Sequence, residues 1–82
     1  MIKIDQSFVK DITGDAKDAV IANAIITLGH SLGYKVLAEG VETAVQSDYL
    51  RDQGCDLVQG FFHGKPVPAE EFEQVLQRFA AV

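Results

Sequence analysis

Three short apolar runs alternate with three stretches of helical spacing along only 82 residues, and this alternation constrains the fold more than any other feature. Met1 to Asp5 alternates apolar with polar residues and begins as a strand. Thr13-Gly14-Asp15 makes a turn, and Asp15 is the expected N-cap of a helix, with Asp18 inside its first turn. Val20, Ala24 and Leu28 recur every four residues beside Ile21, Ile25 and Leu32. That spacing predicts an amphipathic helix with these residues inward and Gly33 as its left-handed stop. Lys35 to Ala38 is the second strand, and Thr43 with Gln46 fits a capping box at the next helix start. That helix is expected to turn Val45, Tyr49 and Leu50 inward and to stop at Gly54, before a third strand over Cys55 to Gln59. Gly60 to Pro68 is expected to be a loop. Pro68 suits the first position of a last helix, which carries Glu70 and Glu71 near its positive end and an apolar face of Phe72, Val75, Leu76 and Phe79.

The pattern is βα-βα-βα, so the fold class is α/β with parallel strands and right-handed crossovers. Such crossovers place all three helices on one face of the sheet. Parallel sheets are normally buried on both faces. The other face must therefore be the inside of a closed barrel, or be covered by a second copy. No linker or composition break divides the chain, so residues 1–82 are expected to form a single unit. A chain this short buries only about 60–65% of its unfolded surface and makes one modest core.

Charge and hydropathy remove several function classes. With 7 Lys and Arg against 12 Asp and Glu the formal charge is −5, which gives no basic footprint for duplex nucleic acid. The longest apolar runs are four residues, Ala19 to Ala22 and Phe79 to Val82, far short of the roughly 20 a bilayer span needs. Neither a membrane partner nor a secretory signal is expected. The lone Cys55 allows no internal disulfide and suits a reducing cytoplasm.

Side chains alternate across a strand. If Ile2, Ile4, Val36, Ala38 and Val58 pack beneath the helices, then Lys3, Asp5, Leu37, Glu39, Leu57 and Gln59 face the other way. Asp5, Glu39 and Gln59 fall at the C-terminal strand ends, where α/β folds build active sites, with Lys3 one pleat lower. A cation, carboxylates and a carboxamide there suit a divalent ion, a water or phosphate oxygens. Solvated strand-end residues would follow the same periodicity, and both readings stay open at this point. Lys3 on an inward face needs a partner to stay charged, and the small neighbours of Glu39, Ala38 and Gly40, imply a close approach by another group.

Three stretches resemble one family. Lys3-Ile4-Asp5-Gln6-Ser7-Phe8-Val9 looks like the sixth-strand signature of EAL domains, the cyclic di-GMP-specific phosphodiesterases named for a Glu-Ala-Leu motif. Ala38-Glu39-Gly40-Val41-Glu42-Thr43 is similar to their seventh-strand motif. Gly54-Cys55-Asp56, Gln59-Gly60-Phe61 and Gly64-Lys65-Pro66 resemble the eighth strand and final loop. The resemblance covers the whole chain and implies strands six to eight of a partial (β/α)8 TIM-type barrel.

It further implies metal-dependent hydrolysis of cyclic di-GMP to the linear dinucleotide with Mg²⁺ or Mn²⁺. By resemblance Lys3 holds the nucleophilic water, and Glu39 is a metal-side carboxylate or general base. Gln59 reaches a metal-bound water or phosphate, Asp5 orients Lys3, and Glu42 steadies a loop that shapes the metal site. Neither Glu-Ala-Leu nor the family's Asp-Asp-Phe-Gly motif occurs in the chain. Most metal carboxylates and the metal-binding Asn belong to strands it lacks, and a barrel of this class needs about 250 residues. The expectation is a C-terminal fragment of a cyclic di-GMP phosphodiesterase, inactive alone and binding no metal by itself. The rival is a non-catalytic module that binds a partner or cyclic di-GMP. Leu37 and Leu57 are expected to be exposed in a monomer, favouring a homo-oligomer or union with the missing barrel portion. His30 is expected to serve the dipole at its helix end, and Cys55 to be a small buried residue. His63 is a minor candidate for a ligand phosphate, while Phe61 or Phe62 packs under the last helix.

Overall fold

The computed structural model describes residues 1–60, 64–72 and 74. In chain order the elements are β1 (Ile2–Ile4), α1 (Gln6–Val9), α2 (Ala16–Ser31), β2 (Val36–Val41), α3 (Ala44–Asp52), β3 (Leu57–Gly60), β4 (Val67–Pro68) and a 3-10 turn over Ala69–Glu71. They form one sheet in the order β1-β2-β3-β4. β1, β2 and β3 run parallel, in the register Ile4↔Ala38↔Val58. The α/β alternation is therefore as the sequence implies.

Local chemistry accounts for the helix ends. The Asp15 side chain accepts from the Lys17 N–H to start α2, and Thr43 and Gln46 complete a reciprocal capping box at the start of α3. Both helices end in the same left-handed motif. At α2, Tyr34 N–H reaches the Gly29 carbonyl and Gly33 N–H that of His30. At α3, Cys55 N–H reaches Leu50 and Gly54 N–H reaches Arg51. Positive φ at Gly33 and Gly54 permits both turns.

One core lies between the sheet and the helices. Ile4, Val36, Ala38 and Val58 meet Ala22 and Ile26 of α2, Leu50 of α3, and Ala69 and Phe72 after β4. That is the single helical face expected from right-handed crossovers.

Several expectations are corrected. α2 turns Ala22, Ile26 and Gly29 to the sheet and leaves Val20, Ile21, Leu28 and Leu32 exposed. The helix lies so close that a Cβ on Gly29 would stand 2.7 Å from Val36 Cγ2. Small residues, not the bulky stripe, therefore occupy the contact. On α3, Val45 is exposed while Gln46 and Ser47 are buried beside Leu50. Leu37 is buried, contrary to expectation: it sits on the central strand between Lys3 and Leu57. The expected loop over residues 60–68 contains β4, which pairs antiparallel with β3 through Val58↔Val67 and Leu57↔Pro68. Pro68 precedes a 3-10 turn rather than opening an α-helix. His63, Phe61, Phe62, Val75, Leu76 and Phe79 lie outside the described residues.

Candidate active-site edge of the sheet

The C-terminal strand ends are shaped by two local devices that periodicity does not reveal. The first is α1. Asp5, just past β1, caps it by accepting from the Ser7 N–H at 3.0 Å and the Ser7 hydroxyl at 2.6 Å. The hydroxyl bond, then the backbone bond, holds the Asp5 carboxyl below its ordinary pKa. Among the described residues no ion pair joins Asp5 to Lys3; the carboxylate is engaged by its own helix.

The second device is a bulge in β2. The register runs Ala38↔Val58 and then Val41↔Gly60, so Glu39 and Gly40 together oppose the single residue Gln59. Gly40 has φ +71°, and a Cβ there would stand 2.5 Å from Gln6 Cβ. The group that approaches beside Glu39 is thus the first residue of α1. Strict alternation would send Val41 to the face of Leu37, but the extra residue returns it to the helix-side core, where it is fully buried.

The predicted residues therefore occupy one edge. Lys3 is exposed on the face opposite the helices, at the level of Leu37 and Leu57. One step further along each strand come Asp5, Glu39 and Gln59. Glu39 and Gln59 are half-buried, and Gln59 Nε2 donates to the Gly64 carbonyl at 2.9 Å, tying down the chain beyond β3. Glu42 is exposed beside a cleft of about 400 Å³ that it lines with Asp5, Gln6, Ser7, Lys10 and Gly40. Gln6, Ser7 and Lys10 are the residues that sequence reasoning did not single out. A four-residue helical turn is too short to register as a period, and only Asp5 followed by Ser7 hinted at a cap.

Among the described residues no group of three or more His, Cys, Asp and Glu side chains is placed to hold an ion. No described helix is long and apolar enough to cross a membrane.

Parallel strands with helices on one face and polar groups at their C-terminal ends are what a segment of a (β/α) barrel presents. The EAL domain family matches residues 1–66, and the chain belongs to that family. It is 49% identical over 75 residues to the signaling protein YkoW of Bacillus subtilis strain 168, covering 92% of this chain and 9% of that protein. It is 42% identical over 78 residues to the cyclic di-GMP phosphodiesterase NbdA of Pseudomonas aeruginosa, covering 95% of this chain and 10% of that protein. The PaMucR phosphodiesterase, solved as a c-di-GMP complex, superposes with a TM-score of 0.70 at 46% identity, covering 85% of this chain and 28% of that one. The chain thus spans about a tenth of the length of these curated relatives and carries only part of the EAL domain.

Proposed function

We propose that this chain carries one wall of a cyclic di-GMP phosphodiesterase site and does not turn over the dinucleotide by itself. The observation that carries the reading is the alignment of Asp5, Glu39 and Gln59 at the ends of three adjacent parallel strands, with the β2 bulge opposite Gln59. Lys3 positions the attacking water from the pleat below, and Glu39 is a metal-side carboxylate or the general base that takes that water's proton. Gln59 and Glu42 hold the flanking chain in place, and Asp5 sets the entry of α1 beside them. The full reaction needs a divalent ion, Mg²⁺ or Mn²⁺, and Glu39 is the residue of this chain that would help hold it. The remaining ligands come from barrel strands that this chain does not contain. The same reading puts the protein in the cytoplasm, with the free β1 edge and its Lys3 face meeting the rest of a barrel or a second copy.

Backbone amide shifts of the 82-residue chain, followed while cyclic di-GMP and Mg²⁺ are added, test the reading. Shifts confined to Lys3, Asp5, Glu39, Glu42, Gln59 and their neighbours are expected. Shifts confined to the outer faces of α2 and α3 would sink it, and tight binding by the isolated chain would favour the rival cyclic di-GMP-binding module. Turnover of cyclic di-GMP with Mn²⁺ above that of Glu39→Ala would equally overturn the claim of incompleteness.

A further inference from the structure

We propose that Gln46 is a positioning residue for this site: its buried carboxamide clamps the loop that carries Glu42 to the loop that follows α1. The functional meaning of the clamp rests on the site proposed above.

Gln46 is only 7% exposed, yet it has partners on two separate segments. Its Oε1 accepts from the Glu42 N–H at 2.7 Å and the Thr43 N–H at 3.2 Å. Its Nε2 donates to the Lys10 carbonyl at 3.1 Å, across 36 residues of chain. Glu42 and Lys10 both line the cleft beside Gly40, so one carboxamide ties together two residues of its wall.

The residue type is informative. A capping box accepts Glu or Gln at this position, because either offers an oxygen to the N-cap backbone. A Glu would also interact favourably with the positive end of the α3 dipole. Capping alone therefore gives no reason to prefer Gln. The Lys10 carbonyl does, because only an amide can accept from one loop while donating to the other. A carboxylate would place its second oxygen against that carbonyl, two acceptors facing each other with no proton between them.

Gln46→Glu consequently separates cap from clamp. In the 82-residue chain, with no nucleotide or metal present, the variant should keep wild-type exchange protection at the Glu42 and Thr43 amides and an unchanged α3. The Phe8 and Lys10 amides, bonded to Asp5 and Gln6 within α1, should lose about tenfold of their protection, the effect of one hydrogen bond on a local opening. Gln46→Ala should lose protection on both loops. If Gln46→Glu leaves Phe8 and Lys10 within about twofold of wild type, the clamp positions nothing; if Gln46→Ala loses protection only at the Glu42 and Thr43 amides, Gln46 is a cap only. Because no ligand is present, failure of the proposed function in the nucleotide titration or the turnover assay would leave this result untouched.

Discussion

Gly40 and Gln6 meet so closely that no side chain fits between them: a Cβ on residue 40 would lie 2.5 Å from Gln6 Cβ and 3.2 Å from its Oε1. The contact joins the first residue of α1 to the bulged residue of β2. It links the helical turn that Asp5 caps to the strand that presents Glu39. The edge of the sheet is therefore set by backbone approach as much as by its polar side chains.

Gly40→Ala should accordingly destabilise the chain by about 2–4 kcal/mol, combining a left-handed φ at a residue with a Cβ and an overpacked contact. Urea midpoints read this directly. Gln6→Gly should be mildly destabilising alone but should recover part of the loss when combined with Gly40→Ala, because the clash needs both side chains. Strict additivity would show that φ, not the Gln6 contact, governs position 40.

The sequence made the order of the three parallel strands with α2 and α3, both glycine helix ends, the Thr43 capping box and the strand-end level of Asp5, Glu39 and Gln59 legible, because each depends on neighbours close in the chain. What escaped depends on partners far along it. The inner face of α2 was misassigned because that helix is apolar on most sides, and helix-to-sheet distance chooses among them. Gly29 against Val36 fixes the distance, so Ala22 and Ile26 go inward while Val20 and Leu28 face out. Gly40 signals a close approach beside Glu39, but the strand runs on to Val41 rather than ending at Ala38, and the bulge opposite Gln59 needs the third strand.

At the end of the sheet away from the site, His30 Nε2 donates to Asp56 Oδ2 at 2.7 Å, and the same oxygen accepts from the Val36 N–H at 2.8 Å. Burial raises the Asp56 pKa, but the His30 and Val36 hydrogen bonds with the charges of His30 and Lys35 outweigh it and leave the carboxyl below its ordinary value. A depressed folded pKa means the stabilisation is complete above the ordinary value near 3.9 and is lost as pH falls through the folded one. Asp56→Asn should cost about 1–2 kcal/mol at pH 7, and the gap to wild type should shrink below about pH 4. Denaturant titrations at pH 7 and pH 3 that returned the same gap would refute the linkage.

Cys55 offers a probe of opening. It is 5% exposed, its thiol donates to the Leu57 and Val36 carbonyls, and burial pushes its pKa up to about 11. With so little thiolate and no access, the folded chain should react with an aromatic disulfide reagent at pH 8 far more slowly than the urea-unfolded chain. A Gly40→Ala chain should label faster in proportion to its lost stability. Rapid labelling of the native wild type would mean that the Leu50–Cys55 corner is open.

The reversed face of α2 gives the sharpest test of the packing. Leu28 is 60% exposed and Ile26 is 2% exposed, although they stand only two positions apart on the same helix. Ile26→Ala should remove buried methyl groups from the core that Ile26 shares with Val36 and Ala38 and cost about 2–4 kcal/mol, the cavity adding to the lost transfer energy. Leu28→Lys should change stability by no more than about 0.5 kcal/mol, since its stem stays over the helix and its charge stays in water. Were the four-residue stripe of Val20, Ala24 and Leu28 the true inner face, the two effects would exchange places. Urea unfolding of both variants decides between the two registers of the helix.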